Sequence, residues 1–302
     1  MDYSKEILRL KKEKNALILA HNYQLGEVQD VADFVGDSLE LAKRATTVKQ
    51  NLVVMCGVDF MAEMVKLLNP EKRVLIPAKS AKCPMAAQLG TKEILAAKKK
   101  HPEAKVVLYV NSSASAKALA DCCCTSANAA KVVEAMPSRE IIFGPDRNLA
   151  HYVQKQTNKK IIPVPANGFC YTHVKFNMRG ISRAQKLHPH AELLAHPECN
   201  PEVQEAADAV LSTSGMMKHA KESPAQEFII ATEIGMLHRL QKENPQKKFY
   251  PACEEAVCMQ QKEITLRNLL AALQTGAEEI MLRSPEAEGA RRAMDCMLKI
   301  RA

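Results

Sequence analysis

Three times along the chain, an amphipathic stretch gives way to a short, wholly apolar run rich in β-branched residues. The first is KEILRLKKEKNALILAHNY from Lys5, the second KEILAAKKKHPEAKVVLYVNS from Lys92, and the third ISRAQKLHPHAELLAHPE from Ile181. Apolar positions at three- and four-residue steps predict a helix, and the unbroken run after a turn predicts a buried strand. Each strand is followed by a polar turn and a further predicted helix: VADFVGDSLELAKR, LADCCCTSANAAKV and AADAVLSTSGMMKHAK. A second strand and amphipathic helix come next, in NLVVMCGVDFMAEMVKLLN, EIIFGPDRNLAHYVQKQTN and EFIIATEIGMLHRLQKEN. Each copy closes with a lysine-flanked strand (KRVLIP, KKIIPVP, KKFYPA) that runs on to a cysteine. The repeating unit is therefore helix–strand–helix–strand–helix–strand–Cys, used three times.

Apolar strands alternating with helices imply parallel sheets covered on both faces. The pattern predicts an α/β protein of three similar three-layer α/β/α domains, arranged with pseudo-threefold symmetry around a central site. Their expected bounds are residues 1–87, 88–175 and 176–302. The last includes a tail: KEITLRNLLAALQTGAEEIML resembles another opening helix and strand, and Glu286 to Ile300 is helical in period. The tail either caps the third repeat or packs back on the first.

Aligning the copies brings polar residues into register. Cys83, Cys170 and Cys258 lie 87 and 88 residues apart, and Asp33, Asp121 and Asp208 share the period. His21, Tyr109 and His196 fall at the carboxyl ends of the first strands, with Tyr23, Asn111 and Glu198 two residues beyond. Ser38, Ser126 and Thr213 follow near helix starts. In parallel sheets, ligands bind beyond the carboxyl ends of the strands, where these groups fall. Three thiolates around one axis, with no fourth ligand, suggest a [4Fe–4S] cluster with one iron open to substrate as a Lewis acid. Catalytic zinc is the alternative, although no His–Cys spacing singles it out.

Structural roles compete with each assignment. The three thiols could share their period by ancestry alone and serve as small core hydrophobes. Serine and threonine near helix starts could be plain N-caps, though free helix N–H groups also bind anions. Ser212 to Gly215 and Thr125 to Ser126 are candidates for a phosphate. Cys253, five residues before Cys258, competes as third ligand, but only Cys258 keeps the spacing. Core packing suits Cys56, Cys296 and the adjacent Cys122, Cys123 and Cys124. Cys199 could go either way. His173 falls three residues after Cys170, close enough to matter to any site there.

The composition narrows the class. There is no charged-then-apolar leader and no apolar run of membrane-spanning length, so a cytoplasmic protein without a membrane partner is expected. Ten cysteines in such a chain, with no Cys-x-x-Cys, do not read as a disulfide framework. The net charge of +8 comes from lysines scattered among acids, aromatics are only 4%, and Trp is absent. That argues for a solvated mixed surface and no nucleic-acid partner. Mild basicity also suits a phosphorylated or carboxylated substrate.

Several strings resemble quinolinate synthase over nearly the whole chain. They are AHNYQ (Ala20 to Gln24), VGDSLELA (Val35 to Ala42), YVNSSA (Tyr109 to Ala114), TSANA (Thr125 to Ala129), FGPDRNLA (Phe143 to Ala150), HPEC (His196 to Cys199) and STSGM (Ser212 to Met216). The resemblance implies condensation of iminoaspartate (iminosuccinate) with dihydroxyacetone phosphate to quinolinate, phosphate and water, on the de novo route to NAD. It implies three α/β domains in a triangle around a [4Fe–4S] cluster, and a functional link to the enzyme supplying iminoaspartate. By motif, Cys83, Cys170 and Cys258 would hold the cluster. His21, Ser38, Tyr109, Asn111, Ser126, His196 and Thr213 would bind substrate, and Tyr23, His173 and Glu198 would form the acid–base set. Some members carry a Cys-x-x-Cys-x-x-Cys group near the carboxyl terminus; here only Cys253-x4-Cys258 occurs, so that variant's regulatory disulfide does not carry over. Two rival classes are an iron–sulfur hydro-lyase acting on a di- or tricarboxylate, and a non-catalytic metal-binding scaffold.

Overall fold

A computed structural model describes residues 2–282 and 284–300. The first unit comprises α1 (Tyr3–Glu13), β1 (Ala16–His21), α2 (Gly26–Val31), β2 (Phe34–Gly36), α3 (Ser38–Ala45), β3 (Leu52–Cys56), α4 (Asp59–Leu68) and β4 (Arg73–Leu75). The second repeats this order with α5 (Thr91–Lys100), β5 (Lys105–Tyr109), α6 (Ala114–Lys117), β6 (Cys122–Cys124), α7 (Ala129–Ala135), β7 (Glu140–Gly144), α8 (Arg147–Gln154) and β8 (Lys160–Pro163). The third has α9 (Met178–Leu187), β9 (Glu192–Ala195), α10 (Pro201–Ala206), β10 (Ala209–Val210), α11 (Thr213–Glu222), β11 (Glu227–Ala231), α12 (Met236–Glu243) and β12 (Lys248–Pro251). After it come α13 (Met259–Lys262), α14 (Leu266–Thr275) and α15 (Ser284–Lys299).

Each unit builds one four-stranded, all-parallel sheet, in the orders β2-β1-β3-β4, β6-β5-β7-β8 and β10-β9-β11-β12. The central strands are apolar along their length because helices cover both faces. The expected fold class of three α/β/α layers is what the chain adopts.

The strand count per unit differs from the sequence reading, which ran VADFVGDSLELAKR and its counterparts as single helices. Each is broken by a short edge strand, β2, β6 or β10. The aligned aspartates cause the break. The N–H and carbonyl of Ile18 bond the side chain and N–H of Asp33, and Val106 with Asp121 and Leu193 with Asp208 do the same. These clamps, at 2.7–2.9 Å, turn the chain out of helix and lay it along the sheet edge. Strands of two or three residues carry no readable period.

The three units close into a ring through equivalent helix pairs. The second helix of each unit packs on the last helix of another: α2 on α12, α6 on α4, and α10 on α8. Buried amides reinforce two seams, Gln29 donating to the Gly235 carbonyl at 3.0 Å and Gln204 to the Asn148 carbonyl at 3.2 Å. At the third seam Lys117 takes the amide's place, fully buried and directed at the Phe60 ring. The first and second units share one continuous apolar core, whereas the third has its own clusters on either side of its sheet.

The tail packs on the first two units. Helix α14 lies against α1 and β3, Glu279 bridges antiparallel to Leu75, and α15 lies across α4, α6 and β6. A disulfide joins Cys122 of β6 to Cys296 of α15, across 174 residues of sequence. This corrects the assignment of both cysteines to simple packing: sequence spacing gave no sign that the last helix returns to the second sheet. Cys56, Cys123 and Cys124 are free and buried, as expected. Protein denatured without reductant should therefore expose eight alkylatable thiols by mass spectrometry, and ten would exclude the bond. Cys296→Ser should lower the unfolding free energy by roughly 2–4 kcal/mol.

Candidate active site

The strand ends of all three sheets meet at one cavity. His21 ends β1, Tyr109 ends β5 and His196 follows β9, and all three line the cavity, as do Tyr23, Asn111 and Glu198. Ser38, Ser126, Thr213, His173, Cys83, Cys170 and Cys258 complete the set, so every candidate site residue reaches one place. Cys253 does not: it lines an outer groove beside Arg179 and Arg183. Cys199 is buried, its thiol directed at the Ala231 carbonyl, and it does not line the cavity.

The hydroxyl residues are not the helix caps. Asp37 caps α3 by accepting the N–H groups of Leu39 and Glu40, which leaves Ser38 as the first helical residue. Ser212 caps α11 by accepting from Gly215, which leaves Thr213 in the same position. Asn128, not Ser126, precedes α7. Two candidate phosphate contacts are already engaged, since Ser214 donates to Asp37 and Ser212 is the cap. Two cavity-lining oxygens, Asn111 Oδ1 and Thr172 Oγ1, are buried with no hydrogen-bond partner among the described residues, as expected of groups facing a ligand.

A hydrogen-bonded chain crosses the cavity. The Tyr23 hydroxyl lies 2.7 Å from Thr232 Oγ1, which lies 2.9 Å from His173 Nε2. His173 Nδ1 is 2.7 Å from the Glu198 carboxylate and 3.2 Å from Cys170 Sγ. His196 stacks on His173 with ring centroids 4.6 Å apart, and its Nε2 lies 3.3 Å from Ser126 Oγ. Thr232 was missed in the sequence. Its aligned counterparts are Val58 and Pro145, and a hydroxyl in that column was the available signal.

Burial sets the protonation states. It lowers His21 to about 3 and His196 to about 3, so both are neutral rings near neutral pH. Burial also opposes a charge on Glu198, but the His173 imidazole against it, with hydrogen bonds from His173 and Tyr109, outweighs burial and holds the carboxyl well below its usual range. Tyr23 and Tyr109 are pushed far up by burial and by the Glu198 charge, so both remain protonated donors.

The donor set fits a cluster. Burial raises all three cavity thiols, Cys83 to about 12, and their charges would repel one another. Thiolates form here only with a cation against them, and no fourth cysteine lines the cavity. The donor atoms of Cys170, His173 and Glu198 also lie within 4.8 Å of one another, close enough to hold a single ion.

A family model described as NadA, quinolinate synthetase A protein, matches residues 5–299. The quinolinate synthase of Pyrococcus horikoshii is 56% identical over 300 residues, covering 99% of both chains. Those of Methanothermobacter thermautotrophicus and Thermotoga maritima are 51% and 49% identical, each covering 98% of this chain and 97% or 98% of their own.

The buried neutral histidines make the metal-free fold acid-labile. Below pH 6.5 the unfolded chain binds protons at His21 and His196 that the folded chain refuses until about pH 3, so stability falls as pH drops through that window. The slope is up to about 1.4 kcal/mol per pH unit per histidine, and Glu198, held ionised by the fold, adds to it below its usual range. Urea unfolding of the metal-free protein between pH 7 and pH 5 checks this: a flat profile, or one that His21→Asn leaves as steep, contradicts the assignment.

Proposed function

Because the chain belongs to the quinolinate synthetase A family, and is thus an enzyme of NAD biosynthesis, we propose that it condenses iminoaspartate with dihydroxyacetone phosphate. The products are quinolinate, phosphate and water. Cys83, Cys170 and Cys258 hold a [4Fe–4S] cluster. The observation that carries this reading is the convergence of three thiols and ten polar groups, from three separate sheets, on one cavity. A cytoplasmic enzyme, functionally linked to the source of its iminoaspartate, goes with this reading. Among the described residues no helix is long and apolar enough to cross a membrane.

When bound, the cluster supplies an open iron as Lewis acid for a hydroxyl or carboxylate that must leave or ionise. The protein's own groups do the rest. Glu198, ionised and held by His173, is the base for proton shifts in the triose. Tyr23 and Tyr109, kept protonated, are donors facing it. His21 and His196, neutral, hydrogen-bond polar substrate groups without adding charge. Ser38 and Thr213 bring hydroxyls, and the first N–H groups of α3 and α11 that the caps Asp37 and Ser212 leave open, toward the anionic ends of both substrates. Thr213, tied to Asn22 at 2.8 Å, and Ser126 are the better phosphate contacts, because Ser212 and Ser214 are engaged elsewhere.

An iron–sulfur hydro-lyase would use the same open iron without a triose phosphate. Anaerobically purified protein should contain iron and sulfide in cluster proportion and form quinolinate from the two named substrates. Zinc in place of iron, or dehydration of a simple dicarboxylate without quinolinate formation, rejects the proposal. Glu198→Gln should abolish turnover, a loss of at least about a hundredfold, with cluster content unchanged; near-normal activity removes Glu198 from the mechanism.

A further inference from the structure

We propose that Asp59, Asp146 and Glu233 are positioning residues for the cluster, each fixing the backbone of one ligand cysteine so that the three thiols converge before iron arrives. The inference rests on the reading of Cys83, Cys170 and Cys258 as ligands. The three acids lie 87 residues apart in the repeat, two or three residues after the third strand of each unit, β3, β7 or β11. The Cys83 N–H donates to Asp59 Oδ1 at 3.0 Å, that of Cys170 to Asp146 Oδ2 at 3.1 Å, and that of Cys258 to Glu233 Oε1 at 3.1 Å.

A second bond closes each clamp. The N–H groups of Asp59, Arg147 and Ile234 donate to the carbonyls of Ala81, Gly168 and Ala256, each two residues before its cysteine, at 2.8, 2.8 and 3.2 Å. The middle corner also needs two glycines. A Cβ on Gly144 would lie 2.0 Å from the Val164 carbonyl oxygen, and one on Gly168 would lie 2.0 Å from that of Pro145. The backbones on either side of Asp146 and Cys170 approach that closely.

An acid beside three thiolates, half-buried at Asp59 and fully buried at Asp146 and Glu233, is electrostatically unfavourable, so its presence at all three corners calls for a reason. Hydrogen-bond counting supplies one. At Asp146 the two oxygens face different N–H groups, Leu149 at 2.7 Å and Cys170 at 3.1 Å. At Glu233, Oε1 takes the Cys258 N–H and Oε2 takes that of Gly235 at 2.7 Å, with Lys262 reaching both. An amide would turn its NH2 toward a donor at either place. At Asp59 the one oxygen Oδ1 accepts from both Cys83 and Phe60, so an amide can still serve.

The test uses holoenzyme prepared anaerobically, with iron followed during chelator challenge and the reduced cluster followed by EPR and redox titration. Asp146→Asn and Glu233→Gln should lose iron about 10–100-fold faster than the unaltered protein. The reduction potential of Glu233→Gln should also move positive, since the carboxylate charge paired with Lys262 is gone. Asp59→Asn should show the smallest change of the three. Asp208→Asn removes an acid that accepts a strand N–H at 2.7 Å away from the cavity, and it controls for stability. If Asp146→Asn does not fold, Glu233→Gln decides. Iron retention and potential unchanged in Glu233→Gln, or iron loss from Asp208→Asn as fast as from Glu233→Gln, overturns the inference. An unaltered protein that binds no cluster overturns the functional reading with it.

Discussion

Parallel strands covered by helices on both faces leave little room for polar chemistry except at the strand ends. Every sheet here is of that kind, so every unit has one chemically useful edge. The ring of seams, α2 on α12, α6 on α4 and α10 on α8, turns those three edges inward to a single cavity. A bundle or an antiparallel sandwich repeated three times would not have been forced to build its site there. The cavity follows from the layer architecture, and the repeat only multiplies it.

Inside the cavity, charge is scarce and each charge is answered. Glu198 keeps its negative charge because His173 stands against it and His173 and Tyr109 hydrogen-bond it. Glu233 has Lys262 at 2.9 Å. His21 and His196 stay neutral, so anionic substrates meet polar rings and hydroxyls rather than a fixed cation. Three raised thiols call for a positive centre, and the proposed cluster would supply it.

The fold class was legible because long apolar strands and amphipathic helices recur with one period, and a period is the one long-range fact that a single sequence states directly. The candidate residues were legible for the same reason: His21, Tyr109 and His196 align, and equivalent positions on three similar sheets must face one axis. What escaped notice lacked either length or register. Strands β2, β6 and β10 are two or three residues long and sat inside apparent helices. The Cys122–Cys296 bond joins a residue inside the repeat to one outside it, so no spacing could suggest it. Thr232 stands in a column whose other members, Val58 and Pro145, have no hydroxyl. Asp59, Asp146 and Glu233 did align, but acids after strands are common helix starters, and nothing in their type revealed that they reach forward to the cysteines.

The pattern of sameness among the three corners separates two kinds of work. Residues alike at all three corners either build the scaffold or face the axis. Asp33, Asp121 and Asp208 clamp strand starts, Lys72, Lys159 and Lys247 donate to carbonyls just after α3, α7 and α11, and the cysteines face the axis. Residues that differ, such as Tyr23, Asn111 and Glu198, or Val58, Pro145 and Thr232, cannot serve a symmetric object. They suit a reaction that joins two unlike molecules and must treat each end differently. The acids beneath the cysteines fall in the first group: they vary only between Asp and Glu, and each makes the same bond to the same backbone atom. A residue held to threefold equivalence at the centre of an asymmetric site is serving the one component there that is itself nearly symmetric.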